Sequence, residues 1–172
     1  YEDVDQSLDT AIGPVPIKAT ELSAYIEDDI KVNKKLKVNL GAHLSGFYVR
    51  EEFFPSIQPR VSSRYLLKNN WAIKGSFSQM RQFIHLLTNE RAGLPTDLWV
   101  PATDRAKPED SWQVALGVAK PIKIKGQSFD VSLEAYYKEM NNVISYKEGA
   151  SFLGFNELWE DKVESAFSSY LK

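Results

Sequence analysis

The residue types able to do chemistry are few in this chain of 172 residues. His43 and His85 are its only imidazoles, and it has no cysteine. Neither histidine stands in an HxxxH or His–carboxylate spacing, so ordinary polar positions are expected for both, and no metal site. Asp28-Asp29 and Glu51-Glu52 are carboxylate pairs in sequence. Neighbours on a strand point to opposite faces, which makes these rim charges rather than acid–base partners. Ser62-Ser63 and Ser168-Ser169 have no His–Asp arrangement near them, and no GxSxG, phosphate loop or dinucleotide motif occurs. A hydrolase would need two carboxylates about 5 to 9.5 Å apart in a cleft. The reading is no enzyme and no cofactor. Recognition is the better signal. The stretch from His85 to Asp110 carries Arg91, Trp99, Asp104 and Arg105, the aromatic and charged mixture of a ligand surface. Arg60 and Arg64 stand together on the polar side of one alternating segment.

The elements that must position these residues announce themselves by period. Leu36, Val38, Leu40, Ala42 and Leu44 alternate with Lys37, Asn39, Gly41, His43 and Ser45. That is a strand with one apolar face. The same period runs from Trp112 to Ala119 and from Phe129 to Lys138, and in weaker form over Leu22–Ile30, Ile57–Leu67 and Trp71–Phe77. Strands are predicted at 21–31, 36–48, 57–67, 70–83, 111–122 and 128–146. Only the tail from Glu157-Leu158-Trp159 to Phe167 has helical spacing. The connections alternate in size. Val32–Lys35, Lys68–Asn70 and Lys123–Gln127 are tight turns, while Arg50–Pro55, His85–Asp110 and Glu148–Asp161 are longer. An all-β, antiparallel up-and-down meander of about six to eight strands follows, with short turns on one rim and long loops on the other. Residues 1–16 are acidic and then broken by Gly13-Pro14-Val15-Pro16, which predicts a loop leading into the first strand.

Composition bounds the class. With 43% hydrophobic and 26% charged residues the chain is an ordinary ordered protein. Its formal charge of −2 offers no basic field for a polyanion, so nucleic acid is not an expected partner. No run of about 18 apolar residues is present, which excludes a transmembrane helix and leaves a transmembrane strand, needing only about 9 to 11 residues, untouched. The chain opens at Tyr1 and ends at Leu171-Lys172 without a recognisable terminal feature. A processed chain or an excised fragment is expected.

Alternation alone is compatible with two solvents. A soluble antiparallel sheet, acting as a binding or structural domain, buries its apolar face against a second layer. A membrane barrel shows that face to lipid and turns its polar face, here Lys37, Asn39, His43, Arg60, Arg64, Lys74, Asp130, Glu134 and Lys138, to a wet lumen. Aromatics near strand ends, Tyr48, Phe53, Tyr65, Trp71, Trp112 and Tyr137 among them, match interfacial girdles and favour the membrane.

From Glu21 to about Ser165 the sequence resembles the later barrel strands of TonB-dependent outer-membrane receptors. The segments that carry this are Leu22-Ser23-Ala24-Tyr25-Ile26-Glu27-Asp28-Asp29; Pro59-Arg60-Val61-Ser62-Ser63-Arg64-Tyr65; Trp71-Ala72-Ile73-Lys74-Gly75-Ser76-Phe77-Ser78; Leu94-Pro95-Thr96-Asp97-Leu98-Trp99-Val100-Pro101; Lys107-Pro108-Glu109 with Gln113–Gly117; and Glu134–Ile144, in that order. The resemblance implies part of a barrel of about 22 strands with a plugged lumen. It further implies outer-membrane lipid, a plug domain, the remaining strands and an unknown small-molecule ligand as partners, with coupling to the TonB complex through the plug. The plug, the coupling segment and the aromatic-ended last strand of that family are not found between Tyr1 and Lys172.

Overall fold

The computed structural model describes residues 17–87, 98–147, 160 and 163–171. Among the described residues there are nine strands: β1 (Ala19–Lys31), β2 (Leu36–Val49), β3 (Glu52–Leu66), β4 (Ala72–Gln82), β5 (Ile84–Leu87), β6 (Leu98–Pro101), β7 (Glu109–Ile124), β8 (Gln127–Tyr146) and β9 (Val163–Leu171). Seven of them make one antiparallel sheet in the order β1-β2-β3-β4-β7-β8-β9, and β5 with β6 makes a separate hairpin. This is the all-β meander that the alternation predicts. The expected leading loop at 1–16 lies outside the described residues.

Register explains why each strand keeps its faces. Leu44 of β2 stands opposite Ile57 of β3, Val61 opposite Phe77 of β4, Phe77 opposite Val114 of β7, and Val118 opposite Leu133 of β8. Direct cross-strand partners share a face, so one side of the sheet is continuous in apolar side chains. The other side carries rows of polar ones, such as Lys37–Arg64–Lys74 and Arg60–Ser78–Gln113–Lys138. A slip of one residue in any ladder would exchange the two faces, which is why the register is strongly specified.

The hairpin ends differ. Val32–Lys35, the 3₁₀ turn Lys68–Asn70 and Lys125–Gly126 lie at one rim, hereafter the turn rim. At Lys125 and Gly126, φ is 50° and 83°, the left-handed pair of a tight hairpin turn. The opposite, loop rim carries the connection that holds β5–β6 and the one from β8 to β9. The expected long link Arg50–Pro55 is a correction: β2 runs to Val49 and β3 starts at Glu52, leaving only Arg50 and Glu51 to turn. Both are left-handed, with φ of 47° and 69°, and neither is a residue that advertises such a turn. Pro55, where the long link was expected to end, and Pro59, within the predicted strand, both sit inside β3 where β4 is not yet its partner, since that pairing begins at Arg60. A missing N–H costs no ladder bond there. Replacing Glu51 with Gly should remove left-handed strain and raise stability by about 1 kcal/mol, read as a higher denaturant midpoint for the receptor in lipid vesicles. An unchanged or lower midpoint would contradict this account of the turn.

The tail offers a second correction. Residues 163–171 form β9, paired along β8 with a bulge between Met140 and Val143, rather than the end of a helix. Leu158 and Trp159 lie outside the described residues. Within the described part of that tail, Val163 and Phe167 are four apart, a spacing that on a strand shares a face equally well.

Candidate functional site

Two small apolar clusters form where the long connections return to the loop rim. Phe47 and Val49, on the polar face of β2, meet Phe83 at the foot of the hairpin, with Ile17 and Phe54 packed alongside. The Phe47 and Phe83 rings stack, with centroids 5.0 Å apart and planes within 5°. At the hairpin's far end, Leu87 and Val100 pack with Ala106, Ile144 and Val163. The β5–β6 hairpin is therefore tied to the wall at both ends. Separately, Arg50 ties the β2–β3 turn to the β8–β9 connection, its Nη1 lying 2.7 Å from Oε1 of the buried carboxylate Glu160. These contacts join residues far apart in sequence at one rim.

The hairpin has two faces because it alternates as the long strands do. Ile84, Leu86 and Trp99 are exposed, Trp99 at 65%. His85, Leu87 and Val100 point the other way and are buried, His85 at 2%. Beyond β6 the chain makes a tight turn in which Thr103 N–H donates to the Ala106 carbonyl at 2.8 Å and Ala106 N–H donates to Thr103 Oγ1 at 3.2 Å. Asp104 and Arg105 form the exposed tip of that turn. Trp99, Asp104 and Arg105 thus lie on the accessible side of the rim, while His85 is inside. Arg91 lies outside the described residues.

Burial holds the His85 imidazole below the ordinary histidine range, opposed in part by a hydrogen bond with the Lys107 main chain. Its Nε2 has no hydrogen-bond partner among the described residues. The sign of the pH effect follows. An undocked hairpin takes up a proton near pH 6.5, whereas the docked one resists until lower pH. Docking is at full strength above about pH 6.5 and weakens as pH falls below it, until the docked form also protonates. Amide exchange at 84–87 and 98–101, corrected for intrinsic rates, should therefore increase on acidification. His85→Met should flatten that response, and a variant that kept the full response would assign it to another group.

Arg60 and Arg64 stand on the polar face of β3 but open into separate depressions. Arg60 lines a cavity of about 530 Å³ beneath the hairpin foot, with Gln58, Met80, Ile84, Glu109 and Lys138 among its neighbours. Arg64 lines another of about 300 Å³ nearer the turn rim, with Asp29, Asn39, Lys74 and Glu134. The larger is within the range of small-molecule sites, and it presents three cations, Arg60, Arg81 and Lys138, and two carboxylates, Glu21 and Glu109, around an apolar edge. Gln58 and Glu109 were not among the sequence candidates for ligand contact, and Lys138 was named only as a polar-face residue. The cross-strand row through Arg60 and Lys138 was the signal, and it needs the register to be read.

Burial is inverted relative to a soluble protein. Ser45 and Gln58 are 8% and 5% exposed and bond to each other, Gln58 Nε2 donating to Ser45 Oγ at 3.2 Å. On other strands of the same sheet, Leu22 of β1 is 79% and Leu133 of β8 74% exposed. Among the described residues no group of three or more His, Asp or Glu is arranged to hold a metal ion. No helix among them is long and apolar enough to cross a membrane, which says nothing about strands. No curated protein and no solved structure matches the chain. Residues 4–166 match the family described as TonB dependent receptor-like, beta-barrel, and with that span the chain belongs to the TonB-dependent receptor barrels of the outer membrane.

Proposed function

We propose that this chain forms part of the wall of a transporter that takes up a nutrient or metal chelate across the outer membrane of a Gram-negative bacterium. Its apolar face meets lipid, its polar face lines the lumen, and the loop rim helps to capture the ligand. The observation that supports this most is the inverted burial: exposed apolar side chains form a band across the sheet, while on the opposite face the sheltered wall residues include Ser45, Ser56, Gln58, Ser111 and Ala115, with Phe47 and Val49 buried where the hairpin docks. The band also has membrane dimensions. Phe53 and Tyr65 end it on β3; their separation of about 41 Å at about 3.4 Å per residue shrinks to about 29 Å at a tilt of about 45°.

In this reading the open edges of β1 and β9 pair with the remaining strands of the receptor, since unpaired edges would otherwise template aggregation. The plug domain fills the lumen against the polar face, and the TonB complex acts through that plug. Family members are transporters rather than enzymes. Arg60, Glu109 and Lys138 are suited to hold a polar small molecule under the hairpin, with Trp99, Asp104 and Arg105 meeting it earlier.

Single cysteines along β8, from Ser128 to Tyr137, test the assignment when spin-labelled in the intact receptor in bilayers. Positions 129, 131, 133, 135 and 137 should be accessible to oxygen, and positions 128, 130, 132, 134 and 136 to a water-soluble relaxant. If both sets report water, the apolar face is not in lipid and a soluble sheet is the better description.

A further inference from the structure

The chain's small net charge conceals a strong separation. The three hairpin ends at the turn rim, residues 31–37, 64–74 and 120–129, hold ten of the 21 Lys and Arg, four, three and three respectively, and none of the 23 Asp and Glu. The topology brings these three stretches to one rim. Like charges placed side by side repel, and some are direct cross-strand partners: Lys31 with Lys37, Lys37 with Arg64, Arg64 with Lys74. On the polar face Asp29 and Glu134 line the same depression as Lys37, Arg64 and Lys74 and offset part of that charge, while Lys68 and Lys120 stand outside that depression.

The outward side of that rim points to an anionic partner. Lys120 follows Val118 on the apolar face of β7, and its Nζ lies 5.0 Å from the centre of the Trp71 ring. Trp71 is exposed, and its main-chain N–H donates to the Lys68 carbonyl at 3.4 Å, which holds the Lys68 backbone beside it. Below this group in the band lie Ile73, Val131 and Leu133, all exposed. A cation held against an indole at the edge of an apolar surface suits a ligand that is anionic at one end and hydrocarbon at the other. A lumenal partner would touch the polar face and leave this group unused.

We propose that the turn rim carries a binding site for anionic glycerophospholipid, with the headgroup phosphate between Lys68 and Lys120 beside Trp71 and the acyl chains along Ile73, Val131 and Leu133. This rests on the reading that the apolar face meets lipid. The remaining rim lysines supply a general field for the same leaflet surface, and the site fixes the height of the sheet against it.

The test uses the intact receptor reconstituted in phosphatidylcholine bilayers containing a minority of phosphatidylglycerol, with lipids that stay bound on detergent extraction quantified by mass spectrometry. Heat-modifiable mobility reports insertion separately. The wild type should retain phosphatidylglycerol above its bulk share by about fivefold for each contributing cation. Lys68→Gln with Lys120→Gln should bring the ratio to the bulk value, Trp71→Leu should lower it, and Lys18→Gln, at the other end of β1, should leave it alone. Bulk composition around an inserted wild type overturns the site and leaves the membrane reading standing. So does full enrichment in the double variant, or stripping of the lipid by inorganic phosphate alone, which would indicate a free-anion site. A receptor that fails to insert into either bilayer overturns both.

Discussion

Leu133→Arg should cost the barrel about 2 to 4 kcal/mol, whereas Ser132→Arg, one residue earlier, should change stability by less than about 0.5 kcal/mol. Leu133 lies midway along β8 between Phe129 and Tyr137, pairs with Val118 and is 74% exposed. A guanidinium there must either sit in hydrocarbon or drag water and headgroups inward, and the depth makes snorkelling least effective. Ser132 pairs with Ala119 on the polar face, where an added cation meets water. Denaturant unfolding of the intact receptor from phospholipid vesicles measures both. If the two variants behave alike, the faces are not in different solvents; if Ser132→Arg is the damaging one, the sheet is inside out relative to this account.

Phe83→Ala should undock the β5–β6 hairpin, costing about 3 to 5 kcal/mol of local stability. Phe83 is 4% exposed and stacked on Phe47, so truncation leaves a void among Phe47, Val49 and Phe54 that the sheet backbone cannot close. The loss falls on the hairpin, since the seven-stranded sheet is held by its own ladders. A change of that size raises the open population more than about a hundredfold. Hydrogen exchange at 84–87 and 98–106 should accelerate accordingly while exchange in β2 and β3 holds. Trp99→Ala is the useful contrast. Its ring is exposed, so the hairpin should stay docked, and any loss of ligand binding would belong to contact rather than to order. Slow exchange at the hairpin in Phe83→Ala would mean that the cluster around Leu87 and Ile144 suffices to dock it.

Much of the wall was legible before any coordinates. Alternation at Leu36–Leu44, Trp112–Ala119 and Phe129–Lys138 follows directly from the two-residue repeat of a strand, so strand identity and apolar face need only neighbouring residues. Long loops and tight turns were readable where Gly, Asn and Lys marked them. Arg50-Glu51 escaped because its left-handed conformation is imposed by the strands on either side, not by residues that prefer it. The hairpin β5–β6 escaped because four residues of alternation are too few to stand out, and its partner strand lies across 88–97.

The candidate site divides in the same way. Arg60, Arg64, Trp99, Asp104 and Arg105 could be named from type and position, and the structure leaves them accessible, in two depressions and at an exposed rim. That His85 turns inward while Trp99 turns outward depends on which face of the hairpin docks, which is settled by Phe47, Leu87 and Ile144, contacts that no local pattern contains. The charge pattern is the sharpest case. Composition by itself determined a chain with a net charge of −2 and two-faced strands. Only the meander, by returning every second hairpin end to the same rim, collected ten cations there and made an anionic surface the natural neighbour, because electrostatic potential depends on where charges lie and not on their sum.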